Sequence, residues 1–214
     1  MKKRLGINID HVATIRNARG SSHPNPLTIA KQVMQCKADS ITIHLREDRR
    51  HIRDIDVVQI CKNRNIPTNL EISLNKDILR IALKNKSKIA SIVLEFKKKK
   101  IRTSLFIDPN LSDIRIAKEL SVDCIELHTG KISNLVKNKK NFKNELKKIK
   151  NCCVLAKKMN IEVHAGHGLD YKTTAILTKI KDIAEFNIGH FIIGESITHG
   201  LDKTIRKFKK ILNN

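Results

Sequence analysis

Residues 40–51 read S-I-T-I-H-L-R-E-D-R-R-H, and this stretch decides the fold. Side chains alternate along its first half, with Ile41, Ile43 and Leu45 on one face and Thr42, His44 and Arg46 on the other. A period of two predicts a β-strand whose apolar face packs under helices. Because an unpaired buried charge is costly, the row that ends in His44 and Arg46 predicts an anionic ligand at the strand end.

Seven further short apolar or alternating runs resemble strands, and segments with helical periodicity separate most of them. The eight predicted strands are 5–10, 41–46, 68–73, 89–96, 103–108, 124–128, 161–165 and 191–194. The predicted helices are 26–37, 54–62, 75–85, 112–120, 133–159, 173–181 and 196–212. Eight strands at this spacing favour a (β/α)8 TIM barrel, an α/β fold, as a single domain over residues 1–214.

The connection after the fourth predicted strand departs from this pattern. Only K-K-K-K-I-R separates Phe96 from Thr103. A parallel crossover needs about a dozen residues or more. We therefore expect a barrel in which the helix between the fourth and fifth strands is missing.

Composition narrows the class of protein. The formal net charge is +22, but the excess is mostly lysine spread over many helices without interleaved aromatic residues. This distribution indicates solvated helix faces and no specific nucleic-acid or membrane partner. We expect a cytoplasmic protein, since no apolar run is long enough for a membrane span or a signal core. Five cysteines without a CxxC pair are expected to be core thiols: Cys36, Cys61, Cys124, Cys152 and Cys153.

Polar residues gather at the carboxyl ends of five predicted strands, which is where barrel enzymes place their chemistry. These residues are Asn8, Asp10, His11, His44, Arg46, Glu71, Glu126, His128 and His167. A single histidine on a strand is usually structural. Five strands that present ionisable groups at one end predict a shared site.

Two glycine-bearing turns point to phosphate. A-G-H-G-L at 165–169 and N-I-G-H-F-I-I-G-E-S at 187–196 resemble turns whose backbone N–H groups hold phosphate in barrels. Arg19 and Arg46 are candidates for a second anion through bidentate contacts. Neither His164 nor His167 belongs to a tight cluster of metal ligands, so no metal is expected.

The motifs also resemble a known family, the pyridoxine 5′-phosphate synthases. The resemblance rests on N-I-D-H-V-A-T-I-R-N-A-R-G, I-T-I-H-L-R-E-D-R-R-H-I, N-L-E, S-L-F-I-D, I-E-L-H-T-G, A-G-H-G-L and N-I-G-H-F-I-I-G. They occur in family order and span nearly the whole chain. The resemblance implies a cytoplasmic (β/α)8 barrel that forms homo-oligomers, usually octamers. It also implies condensation of 3-amino-2-oxopropyl phosphate with 1-deoxy-D-xylulose 5-phosphate, to give pyridoxine 5′-phosphate, phosphate and water without a cofactor.

Residue roles follow from the same resemblance. His44 and Glu71 would accept protons, His167 would donate one, and Glu126 would stabilise the transition state. The amino ketone phosphate would be bound by Asn8, Gly168, Gly189 and His190. The deoxyxylulose phosphate would be held by Asp10, His11, Arg19, Arg46 and His51. Ring formation through imine, dehydration and aldol-type steps needs several acid/base groups, and these residues supply them.

The sequence departs from the family after the fourth predicted strand. The family has a P-E-K-R segment there, followed by a T-T-E-G-G loop and a helix, and this chain has neither the loop nor the helix. The loop threonine that binds deoxyxylulose phosphate has no counterpart. We expect weakened binding of that substrate or loss of activity, unless the lysines of 97–100 replace the loop electrostatically. The alternatives are another phosphosugar aldolase or isomerase, and a decayed barrel that binds nucleic acid.

Overall fold

The computed structural model describes residues 2–72, Lys98 and residues 102–213. The strands in these ranges are β1 (Arg4–Asn8), β2 (Ser40–Leu45), β3 (Thr68–Ile72), β4 (Ser104–Ile107), β5 (Cys124–His128), β6 (Glu162–Gly166) and β7 (Ile183–Ile188). The helices bounded there are α1 (Asp10–Ala18), α2 (Pro26–Gln35), α3 (Asp54–Cys61), α4 (Leu111–Glu119), α5 (Gly130–Lys137), α6 (Lys143–Lys158), α7 (Tyr171–Leu177), α8 (His190–His199) and α9 (Leu201–Asn213).

The strands form one parallel sheet in the order β3-β2-β1-β7-β6-β5-β4. Every pair of consecutive strands except β3 and β4 is adjacent, and β1 also pairs with β7, so the sheet curls as the strands of a (β/α)8 barrel do. The predicted helix 75–85 and the predicted strand 89–96 lie outside the described residues. In sequence they fall between β3 and β4, which are the two ends of the described strand order.

Local signals explain where several elements begin. Asn25 caps α2, because its side-chain oxygen accepts hydrogen bonds from Leu27 N (2.9 Å) and Thr28 N (3.3 Å), and Pro26 occupies the first helical position. Asn110 caps α4 by accepting from Ser112 N (3.0 Å), so the helix begins at Leu111, one residue before the predicted start at 112.

The core lies between the sheet and the helices and is built mainly from isoleucine, leucine and valine. Ile41 and Ile43 of β2 are fully buried, as the alternation predicted. The last helix, α9, buries Ile205, Phe208 and Leu212 and packs against β1, α2, α7 and α8. Its charged face stays outside, which agrees with the expectation of solvated lysines.

Two predicted elements were wrong in type or extent, and one helix was not predicted. Residues 191–194 lie in α8, and the last strand is β7 instead, whose six residues are all buried. A four-residue apolar run cannot distinguish a strand from a helix, and this one followed the true strand closely. The predicted helix 133–159 is two helices, α5 and α6. The helix α1 was not predicted at all.

Two smaller findings concern cysteines and membranes. Cys124, Cys152 and Cys153 are buried free thiols, Cys36 is half-buried and Cys61 is exposed, so Cys61 is not a core thiol. None of the described helices combines the length and apolar character that a bilayer span requires.

Candidate active site

The first pair of predicted catalytic residues lies on neighbouring strands. The register of β2 and β3 places His44 directly beside Glu71, and parallel neighbours point to the same face. His44 Nδ1 is 3.9 Å from Glu71 Oε2. This distance is too long for a hydrogen bond, so a proton can pass between the two groups only through an intervening atom, such as one of a substrate.

Asp10 joins this pair to the end of β1. Its Oδ1 accepts a hydrogen bond from the backbone N–H of His44 (2.8 Å), and its Oδ2 accepts from Asn8 Nδ2 (3.1 Å). Asn8 Oδ1 in turn accepts from Asp10 N (2.9 Å). The carboxylate thus fixes the carboxyl ends of β1 and β2 relative to each other.

His51 is held against α1 by several contacts. Its Nδ1 is 2.6 Å from Thr14 Oγ1, and its carbonyl accepts from Asn17 Nδ2 (2.7 Å). Beneath it, the buried guanidinium of Arg16 forms a two-pronged ion pair with Asp56 (2.6 and 2.9 Å). These contacts fix the end of the charged loop that follows β2.

Glu126 is a buried carboxyl, with 7% of its surface exposed, as is Asp10. Asn187 Nδ2 donates to its Oε2 (2.5 Å). Gly166 is required beside it, because a Cβ at that position would lie 1.9 Å from Glu126 Oε1. Strands β5, β6 and β7 therefore meet around this carboxyl.

The carboxyls of the site hold protons more tightly than ordinary ones. Burial raises the pKa of Glu126 to about 7, although the bond from Asn187 opposes the shift. Burial, followed by the charges of Glu126 and Asp10, raises the pKa of Glu71 well above its usual value. Burial also raises the pKa of Asp10. Near neutral pH Glu126 can therefore both accept and release a proton.

The histidines shift in the opposite direction, since burial disfavours their charged form. Burial is the largest cause of the lowered pKa of His11, His44, His51 and His167. For His167 the second cause is His128, whose ring stacks on it at 4.5 Å between centroids. These imidazoles are neutral at pH 7 and retain a lone pair for a proton.

The glycine turns approach the same mouth. A Cβ at Gly189 would lie 2.9 Å from Asn8 Cβ and 3.1 Å from Asn8 O, so only glycine fits there. His190 begins α8, and its ring centroid is 5.1 Å from that of His11. Gly168 has a φ of 77°, which glycine adopts without strain.

The two predicted anion-binding arginines differ in their placement: after burial, the charge of Arg46 contributes to the lowered pKa of His44 and His51, whereas Arg19 stands apart from these residues. Arg19 is the exposed C-cap of α1, at the opposite end of that helix from Asp10. Within the ranges 2–72 and 102–213, no hydrogen bond or ion pair joins its side chain to the other predicted site residues. Arg46 Nε lies 3.5 Å from Asp48 Oδ1 in the loop after β2.

Sequence reasoning gave no role to several residues that shape the site. Asn187 was missed because β7 was misplaced, although the alternation of Glu185 and Asn187 along I-A-E-F-N-I was a usable signal. Thr14 was missed with α1. His128 was noted on its strand without a role. In the described part of the chain, no group of three or more His, Cys, Asp or Glu could hold a metal ion.

A comparison with protein-family models decides the family. The model described as "Pyridoxal phosphate biosynthesis protein PdxJ" matches residues 5–95 and 83–214. The chain belongs to the PdxJ family. The two matched segments overlap at residues 83–95, shortly before the point where the sequence departs from the family pattern.

Curated relatives agree with membership of the PdxJ family. The pyridoxine 5′-phosphate synthase of Pelagibacter ubique (strain HTCC1062) is 65% identical over 237 residues, covering 99% of each chain. That of Zymomonas mobilis is 42% identical and covers 98% of this chain and 91% of the relative. The first match is longer than this 214-residue chain, so that relative has additional residues within the matched region.

Solved structures show the fold alone. Tryptophan synthase from M. tuberculosis in its aminoacrylate-bound form matches with a TM-score of 0.65 at 10% identity, covering 99% of this chain and 92% of that one. N-(5′-phosphoribosyl)anthranilate isomerase from Pyrococcus furiosus matches with a TM-score of 0.59 at 14% identity, covering 99% of each. These matches agree with the (β/α)8 TIM-barrel fold of this PdxJ family member.

Proposed function

We infer that this protein is a pyridoxine 5′-phosphate synthase. It condenses 3-amino-2-oxopropyl phosphate with 1-deoxy-D-xylulose 5-phosphate, releasing phosphate and water as the pyridine ring closes. The observation that carries this conclusion is the convergence of His44, Glu71 and Glu126 at one mouth of a barrel that belongs to the PdxJ family.

The proposed proton acceptors are His44 and Glu71. A neutral imidazole 3.9 Å from a carboxyl with a raised pKa forms an acid/base pair that can change roles between steps. Glu126 is proposed to stabilise the transition state. With a pKa of about 7, it is available in both protonation states at neutral pH.

His167 is the proposed proton donor on the opposite side of the mouth. It follows β6, next to Gly166, which touches Glu126. Because burial and His128 lower its pKa, a proton placed on His167 is readily given up. A group with this property suits the loss of water or phosphate, where a leaving oxygen must be protonated.

Two anion sites complete the proposal. Asn8, Gly168, Gly189 and His190 are proposed to bind the amino ketone phosphate. The support is the start of α8, where helix N–H groups and close backbone approach favour a phosphate. Asp10, His11, Arg19, Arg46 and His51 are proposed to hold the deoxyxylulose phosphate. Contacts among Asp10, Thr14 and His51 support the second group, whereas Arg19 rests on the family pattern alone.

We also propose that the enzyme works in the cytoplasm as a homo-oligomer. Ile197 of α8 is 79% exposed and Ile15 of the neighbouring α1 is 44% exposed, so these helices present apolar surface that an interface would cover. Light scattering after size exclusion would give the assembly mass. A monomer at micromolar concentration would contradict this part of the proposal.

The direct test is incubation of the purified protein with both phosphates and detection of pyridoxine 5′-phosphate by mass. Product should form only when both substrates are present, and the Glu71→Gln variant should form little. Folded wild-type protein that gives no product would refute the proposed function.

A second test addresses the segment that is missing after residue 96. A variant with the family's P-E-K-R segment, T-T-E-G-G loop and helix restored should show a lower KM for deoxyxylulose phosphate, since the loop threonine binds that substrate in the family and closure excludes water. Equal KM and kcat values in the two proteins would show that the segment is dispensable here.

A further inference from the structure

The turn that carries His167 has an unusual backbone. His167 has a φ of 74° and Gly168 a φ of 77°, so two consecutive residues occupy the left-handed region. A side-chain-bearing residue costs roughly 1–2 kcal/mol there and stays only where its surroundings hold it. Some neighbouring group must therefore hold the backbone of His167 in place.

Thr129 is that neighbour. It stands at the N-cap of α5 and is fully buried, but its side chain makes no capping bond to the helix. Its hydroxyl instead lies 2.7 Å from Gly166 O and 2.8 Å from His167 O, and its backbone N–H donates to Gly166 O (2.8 Å). An N-cap threonine usually accepts a hydrogen bond from a backbone N–H of its own helix. Here the hydroxyl is a donor to the carbonyls of the turn instead.

The imidazole of His167 is fixed from the same side. It stacks on His128, the residue before Thr129, with 28° between the ring planes. A Cβ at Gly130 would lie 2.8 Å from His128 Cε1 and 3.0 Å from His167 Cδ2, so both rings lie close against the start of α5. The three consecutive residues 128–130 thus hold both the backbone and the ring of His167.

We propose that Thr129 is a positioning residue: its buried hydroxyl bridges the carbonyls of Gly166 and His167 and holds the turn that aims the His167 imidazole into the mouth. The proposal deepens the proposed function, since it rests on His167 acting there as a proton donor. Thr129 itself does not touch the reacting atoms.

The kinetic test compares Thr129→Val, which keeps the shape and removes the hydroxyl, with Thr129→Ser, which keeps the hydroxyl. We expect kcat to fall about tenfold to a hundredfold in Thr129→Val, because a misplacement on the order of 1 Å has that effect. KM for deoxyxylulose phosphate should change less than about twofold, because none of the residues proposed to bind that substrate lies in this turn. Thr129→Ser should restore kcat to within about twofold of wild type.

Thr204→Val is the matched control. Thr204 is 1% exposed, and its hydroxyl donates to the carbonyl of Gly200 (2.9 Å), which also has a positive φ of 81°. It lies on α9, away from the mouth. We expect similar thermal destabilisation in the two valine variants, with kcat retained only in Thr204→Val. If Thr129→Val does not fold, Thr129→Ala, which leaves room for a water, takes its place with the same expected loss.

A second measurement is independent of turnover. NMR titration of His167 in wild type should show its pKa below the usual value, because of burial and then of His128. Among the residues that the structure describes, the ionisable groups next to His167 on that side include His128 on β5 and Asp108 after β4, whose Oδ1 is 3.6 Å from His128 Nδ1. In Thr129→Val the pKa of His167 should rise towards its usual value, and in Thr129→Ser it should not.

The outcomes separate this proposal from the proposed function. If wild type makes no pyridoxine 5′-phosphate, the function fails and the titration alone decides on Thr129. An unchanged His167 titration in Thr129→Val, or an unchanged kcat in an active protein, would overturn the positioning role.

Discussion

Both ends of the barrel carry charged side chains, but the carboxyl groups have different partners at the two ends. At the amino end, Arg4 on β1 pairs with Glu185 (2.6 Å) and with Glu162, and Arg102 pairs with Glu162 (2.7 Å). At the carboxyl mouth, Glu71 faces a neutral histidine, and Glu126 accepts from the amide of Asn187. Guanidinium groups pair with the carboxylates at the amino end, whereas a histidine faces Glu71 and an amide faces Glu126 at the mouth.

The protonation of the two ends differs accordingly. Burial alone would raise the pKa of Glu162, but bonds from His164, Arg102 and Arg4 lower it to about 2. The pKa of Glu126 is raised to about 7. Paired carboxylates contribute to stability and are fixed in one charge state. A carboxyl whose pKa is raised by burial lowers stability at neutral pH. It can also exchange a proton there, which is what an acid/base site requires.

The largest expected effect is that of Glu71→Gln on catalysis. The amide keeps the size of the side chain but cannot accept a proton. We expect kcat to fall by about 10²–10⁴-fold, the usual contribution of a general base. Steady-state turnover with both substrates measures it. A kcat within threefold of wild type would remove Glu71 from the mechanism.

Glu126→Gln should change stability in a pH-dependent way. Because the folded protein holds this proton up to about pH 7, and an ordinary glutamate only up to 4.5, the free energy of unfolding falls as pH rises between these values. The difference corresponds to roughly 3 kcal/mol. Urea unfolding should show Glu126→Gln more stable than wild type at pH 8 and equal to it at pH 4. Equal stability of the two proteins at both pH values would indicate that Glu126 has the pKa of an ordinary carboxyl.

Glu162, at the amino end of the barrel, should affect the pH dependence of stability in the opposite direction, and Glu162→Gln tests this. Its lowered pKa contributes stability that is complete above pH 4.5 and is lost as pH falls towards 2. Removing the charge leaves Arg4 and Arg102 with a weaker acceptor. We expect a loss of about 1–3 kcal/mol in the free energy of unfolding at pH 7, with kcat within about twofold of wild type. A large loss of kcat without destabilisation would contradict the division between the two ends.

The smallest expected effect concerns the loop that presents His51. Thr14→Val removes the hydroxyl 2.6 Å from His51 Nδ1. Losing one such bond costs about 0.5–1.5 kcal/mol, so KM for deoxyxylulose phosphate should rise about twofold to tenfold, with a smaller change in the other KM. Thr14→Ser should behave as wild type. Equal increases in both KM values would show that His51 is not specific to one substrate.

The sequence predicted the parts of this comparison that depend on local pattern. Alternation gave β2 and put His44 and Glu71 at the carboxyl ends of their strands, and the Asn25–Pro26 signal gave the start of α2. It could not place Phe191, because a short apolar run is compatible with a helix or a strand. It also could not reveal Thr129, since a threonine before a helix is usually a cap. Its contact with His167 joins residues 38 apart, and only the fold brings them together.

The amino-end network was not predicted for the same reason. Arg4, Arg102 and Glu162 lie on three separate segments, and each alone is an ordinary charged residue at the edge of a strand. Their pairing depends on the strand order. Motif reasoning therefore pointed to the candidate site at the carboxyl mouth and overlooked the ion pairs at the amino end.

Carboxyl ¹³C NMR titration of the intact protein tests the central contrast most directly. We predict that Glu126 titrates near pH 7 and Glu71 well above 4.5, while Glu162 remains ionised until about pH 2. If Glu126 and Glu71 instead titrated at or below 4.5, the mouth would hold ordinary carboxylates, and the proposed acid/base chemistry would lose its physical basis.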